Sequence, residues 1–85
     1  MMTLYKLQYI KDLIEEAGPE LARIYVYRNT NSGAWMFAAF MHSSVDDMAT
    51  SPYVIDPILI WSNGNWNGNG NSMRISGWFK TKGLE

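Results

Sequence analysis

At 85 residues, with 47% apolar and 14% aromatic side chains and a formal charge of -1, the chain has the materials of one small folded domain. Disordered segments combine low hydrophobicity with high net charge, and that class is excluded; so is a basic field that would gather nucleic acid or anionic membrane nonspecifically. Cysteine is absent, which removes disulfides, thiolate metal sites and thiol nucleophiles and leaves a compact core or self-association to hold the fold.

The first predicted element is a helix over about 4–17. Leu4, Leu7, Ile10, Ile14 and Ala17 recur at spacings of three and four, which places them on one helical face. Leu13 widens the stripe, and Lys11, Asp12, Glu15 and Glu16 take the wet side. Thr3 suits the N-cap, and Gly18-Pro19 supplies the stop: glycine for a left-handed C′ residue, proline against continuation. Neither the opening Met-Met-Thr-Leu-Tyr-Lys nor any later stretch has the apolar run of a signal peptide or a membrane span, so a soluble, cytoplasmic protein is expected.

Arg23–Arg28 is rich in β-branched and aromatic residues and reads as a strand closed by the turn Asn29–Gly33. The next strand, Ala34–Met41, is apolar on both faces, with Trp35, Phe37, Ala39 and Met41 on one and Met36, Ala38 and Phe40 on the other. Such strands are normally central and covered on each side. One helix covers one face, so the second needs another cover. A homodimer through Trp35, Met36, Phe37 and Phe40 is the expected answer, and a folded-over loop would also serve.

Ser44-Val-Asp-Asp47 has the spacing of a capping box and predicts a short helix near 45–50, ended by Ser51-Pro52. Tyr53–Trp61 then reads as a strand interrupted at Asp56-Pro57. Proline lacks a ladder donor, so this strand belongs at an edge or carries a bulge. Met73–Lys80 is expected to be the last strand, with Gly77 at a bulge or close approach. The resulting fold class is α+β: an N-terminal helix packed on an antiparallel sheet of about four strands, in the order α-β-β-short α-β-β, as a single domain over 1–85. That order suggests an internal repeat, but the residues of the halves do not align.

Between the last two strands lies Ser62–Ser72, with Asn63, Asn65, Asn67, Asn69 and Asn71 at alternate positions. Three glycines and Trp66 fill the gaps. Asparagine and glycine both tolerate positive φ, so an irregular, hydrogen-bonding loop is expected. Trp66 either folds back into the core or, like the aromatic anchors of binding loops, enters a partner. Asn63, Asn65, Trp66, Asn67 and Asn69 are therefore the candidate partner-binding residues. Were the segment extended, its alternation would suit strand addition to a partner's sheet.

Other chemistry finds less support. His42, Ser43, Ser44, Asp46 and Asp47 are sequence neighbours, whereas a nucleophile, base and orienting acid are usually assembled from separate segments. A capped helix with acids in its first turn explains the same residues. Asp46, Asp47 and Asp56 lack the spacing of a calcium loop, and no metal site is expected. Gly64, Gly68 and Gly70 match neither phosphate-binding glycine motif, so no cofactor is expected. Tyr25, Tyr27, Trp35, Tyr53 and Trp78 could stack bases, but few basic residues interleave them, and a short chain needs its aromatics for a core.

The function expected from the sequence is a non-enzymatic protein that binds, and by occupying a surface inhibits, a macromolecular partner such as a host protein or nucleoprotein complex. Many phage and mobile-element inhibitors of host defence, anti-CRISPR proteins among them, share this size and cysteine-free character, an analogy with no motif behind it. The alternative is a small-ligand module, for a sugar or nucleotide-like molecule, that uses the Asn/Gly/Trp loop.

Overall fold

The computed structural model describes the backbone of residues 4–67 and the side chains of residues 7–67. Thr3, Asn69, Trp78 and the expected strand Met73–Lys80 lie outside the described residues.

Helix α1 spans Leu4–Ala17, and its apolar stripe does what the spacing predicts. Leu7 and Ile10 are buried, while Ile14 and Ala17 pack against the same cluster. Gly18 ends the helix with φ +63, a left-handed conformation that glycine adopts without a Cβ penalty. Its carbonyl then accepts the Leu21 N–H across a short 3-10 turn, Gly18–Glu20.

Among the described residues four strands follow: β1 (Leu21–Asn29), β2 (Trp35–Met41), β3 (Val54–Ser62) and the two-residue β4 (Asn65–Trp66). They form one antiparallel sheet in the order β2-β1-β3-β4. The result is an α+β fold with one helix on a four-stranded sheet. Strand β1 is central, and its Ile24 and Val26 meet α1, while Arg23, Tyr25 and Tyr27 point to the opposite face by strand alternation. Ile10, Ile24, Val26 and Ile60 are almost fully enclosed, and each such side chain contributes roughly 1.5–3 kcal/mol of hydrophobic stabilisation.

Strand β3 is bulged where the proline demands it. The register passes from Val26↔Ile58 to Arg28↔Ile55, so Tyr27 faces both Asp56 and Pro57. Asp56 takes φ +51 to make the kink. A second shift lies between Tyr25↔Leu59 and Ile24↔Trp61. It leaves Ile60 as the extra residue, and both Ile60 and Trp61 enter the core.

Two expectations are corrected. Strand β2 is not central: among the described residues it is the outer strand beside β1. Its apolar side chains are divided between the two faces of the sheet and none is fully buried. Trp35, Phe37 and Met41 pack against the helix-side core, with the Phe37 ring 5.7 Å from that of Tyr9. On the other face, Phe40 stands edge-on to Tyr25 at 5.9 Å and 85°.

The second correction concerns residues 45–50, which form a turn and no helix. The capping box fails because the Ser44 N–H donates to the Met41 carbonyl at 3.0 Å, leaving nothing for Asp47 to cap. Topology gives the deeper reason. Strands β2 and β3 both run antiparallel to β1, so they are parallel to each other and need a crossover. The connection leaves beside Glu20, where the His42 N–H donates to the Glu20 carbonyl, and arrives beside Thr30, whose N–H donates to the Tyr53 carbonyl. It thus runs the length of β1, roughly 25–30 Å at strand rise, and a helix rising only ~1.5 Å per residue would shorten it.

Candidate functional site

The asparagine segment begins as an ordered hairpin rather than an irregular loop. Asn63 and Gly64 have φ +48 and +90, the two positive values that a type I′ turn requires and that Asn-Gly supplies best. The turn brings β4 back so that Asn65 faces Ser62 and Trp66 faces Trp61. The Asn63 N–H donates to the Ala22 carbonyl at 3.0 Å, tying the tip to β1.

Trp66 lies on the inner side of this hairpin, half-buried and packed against the core cluster. It closes the end of the core that Trp61 and Ile60 begin. Asn63, Asn65 and Asn67 are exposed. Asn67 is nevertheless held on both sides: its N–H donates to the Ile60 carbonyl and its Nδ2 to the Leu59 carbonyl, each at 2.8 Å. The hairpin therefore separates its residues into an anchor, Trp66, and a displayed polar row. The asparagine alternation carries that division, and the Asn-Gly pair was the signal for the turn.

A second ordered site occupies the other face of the sheet, where the crossover passes over β1. Asp46 Oδ2 accepts a hydrogen bond from the Tyr25 hydroxyl at 2.5 Å and from Arg23 Nε at 2.8 Å. Its other oxygen accepts the Met48 N–H at 3.3 Å. Met48 is 6% exposed, so the loop buries an apolar side chain of its own outside the main core. The Arg23 and Asp46 side chains retain 28% and 26% exposure. The Tyr25 hydroxyl, with the Met48 N–H and Arg23, holds the Asp46 carboxyl below its ordinary range, and partial desolvation opposes the shift. Tyr25 is raised in turn by its bond to Asp46, by desolvation and by the nearby negative charge. The sequence did not disclose this pairing, because Arg23 and Asp46 are brought together only by the crossover.

Among the residues considered for catalysis, the Asp46 side chain is committed to these structural contacts. His42 is exposed at the end of β2. Asp46 is engaged with Arg23 and Tyr25, and the Asp47 carbonyl receives the N–H groups of Thr50 and Ser51. Among the described residues no three metal-ligating side chains converge. Of the stacking candidates, Tyr25 and Tyr27 are half-buried, Trp35 packs toward the core and Tyr53 remains exposed. No helix among the described residues is long and apolar enough to cross a membrane.

No protein-family model matches the chain, and no curated protein or solved structure shows significant similarity to it.

Proposed function

We propose that this is a non-enzymatic binding protein that acts by occupying a surface of a macromolecular partner, with the hairpin around Asn63–Asn67 as the contact. The observation that carries this reading is the division of labour in the hairpin: Trp66 anchors it while Asn63 and Asn65 stand exposed on a turn of defined shape. A preorganised tip loses little conformational entropy on binding, and uncharged amides both donate and accept hydrogen bonds. Trp66 contributes through its exposed part and by holding the amides in place, and Asn69 extends the polar row in sequence. A cytoplasmic host protein or nucleoprotein complex is the partner class that suits a chain without a charge field, and inhibition follows when the occupied surface is a working one. An anti-defence role of the anti-CRISPR kind is the finer form of this proposal.

The test is capture from host lysate, with and without nuclease, by wild type and by Asn65→Ala. Asn65 is exposed, so the variant should keep the wild-type melting temperature. One stoichiometric protein retained by wild type and lost by Asn65→Ala supports the reading. Loss of capture after nuclease identifies a nucleoprotein target. Equal capture by both proteins rejects the hairpin as the contact.

The same amides beside a half-buried indole also suit a neutral polyhydroxyl or nucleotide-like ligand. Tryptophan fluorescence that shifts on titration with such compounds, in a protein that captures nothing, would favour this second reading.

A further inference from the structure

The outer edge of β2 carries its own recognition chemistry. The Asn29 N–H donates to the Ala34 carbonyl at 2.8 Å, which sets the phase of the β1–β2 ladder. With the register Tyr27↔Met36, Val26↔Phe37, Tyr25↔Ala38 and Ile24↔Ala39, the backbone groups of Met36 and Ala38 turn toward β1. Those of Phe37 and Ala39 turn outward. Among the described residues no strand pairs with that edge. Natural edges are usually blunted by lysine, proline, a bulge or an inward charge. From Trp35 to Met41 this one has no charged residue and no proline, and its register with β1 is regular from Arg23 to Arg28.

We propose that β2 is a dimerisation edge, on which two copies of the chain pair antiparallel about a twofold axis at Ala38 and join their sheets into one. A row of outward N–H and C=O groups is a template for another strand, and a second copy fits because β2 is its own complement. With Ala38 opposite the partner's Ala38, the outward groups of Phe37 exchange hydrogen bonds with those of the partner's Ala39. On the helix side of the sheet a large side chain then meets a small one. Ala39 lies on that side and is nevertheless exposed, which leaves a notch beside the edge. Phe37 carries the half-exposed Tyr9 on its ring, so the pair forms the matching projection. On the other side of the sheet, Met36, 41% exposed, comes to lie opposite the partner's Phe40. No like charges are opposed anywhere along the seam.

The inference goes beyond the hairpin reading and does not depend on it, because β2 and β4 are at opposite ends of the sheet order. Pairing through β2 places two hairpin tips at the far ends of one continuous sheet, a geometry suited to bivalent contact.

Sedimentation velocity across the micromolar range tests the dimer, and single cysteines test its register in a chain that has none of its own. Wild type should move from monomer to dimer with concentration. Ala39→Lys, at an exposed position, should keep the wild-type circular dichroism while weakening association by about tenfold or more. On oxidation Ala38→Cys should form a disulfide-linked dimer, because directly opposed strand residues bring their Cα atoms within disulfide reach. Met36→Cys, which lies opposite the partner's Phe40, should not. A wild type that stays monomeric overturns the proposal, whether the edge is then bare or otherwise covered. So does a dimer unaffected by Ala39→Lys, or cross-linking through Met36→Cys as efficient as through Ala38→Cys.

Discussion

The two connections that flank β3 solve opposite problems. The turn after it, Asn63-Gly64, is made by local backbone preference: two residues that accept positive φ reverse the chain between paired strands. The crossover before it, residues 42–53, has short local turns but no local code for its course over β1. That course is held by Asp46, which contacts Arg23 and Tyr25 of a distant strand, and the segment buries Met48. One connection is written in neighbouring residues and the other in tertiary contacts, so they should respond differently to substitution.

The largest effect is expected at the hairpin's anchor. Trp66→Ala removes a half-buried indole from the end of the core and should cost about 2–3 kcal/mol, somewhat below a fully buried Trp→Ala change. A thermal or urea melt measures it. A loss under about 1 kcal/mol would mean that the hairpin stands on its turn alone, making the indole free to serve chiefly as a contact. On the crossover, Met48→Ala should cost about 1–2 kcal/mol, because the side chain is buried outside the main cluster where surrounding loop can partly collapse. Limited proteolysis within 42–53 should increase alongside the loss of stability. If the melt falls with no new cleavage, Met48 supports the sheet more than it pins the loop.

The same contrast explains which parts of the fold could be read in advance. Helix α1 was legible because its stripe and its Gly18 stop are local signals, and Pro57 announced a bulge because it lacks a ladder donor. The pattern of β2 is that of a central strand, yet among the described residues β2 is an outer one. An apolar strand face does not say whether its cover is a neighbouring sheet layer, a helix or a loop, and here Trp35, Phe37 and Met41 meet the helix-side core while on the other face Phe40 meets Tyr25 of β1 and Met36 stays exposed. Likewise Ser44 and Asp47 have capping-box spacing, but the chain must span β1 at this point, and tertiary geometry overrides the local preference. At the candidate site the Asn-Gly turn was present in the sequence, yet the asparagine repeat around it pointed to irregular structure. Trp66 was readable as one of two alternatives, and only the pairing of Trp61 with Trp66 shows it packed inward.

The smallest effect should come from Asp46→Asn, and its pH dependence makes it informative. The ion pair with Arg23 is partly solvated, so its loss at neutral pH should cost less than about 1 kcal/mol. Asp46 has a depressed folded-state pKa. Its stabilisation is therefore present above the unfolded value and disappears as acid titrates the folded carboxylate, below about pH 4. Tyr25 is shifted the other way. A raised pKa means that the folded state favours the neutral phenol, so this contribution is present below the unfolded value and fades above about pH 10. Removing the carboxylate should act on both limbs at once. In Asp46→Asn the acid limb of the stability curve should flatten, and tyrosinate absorbance at alkaline pH should rise earlier than in wild type. A variant that alters neither limb would show that the crossover is held by Met48 and its backbone bonds, with Asp46 only resting on the sheet.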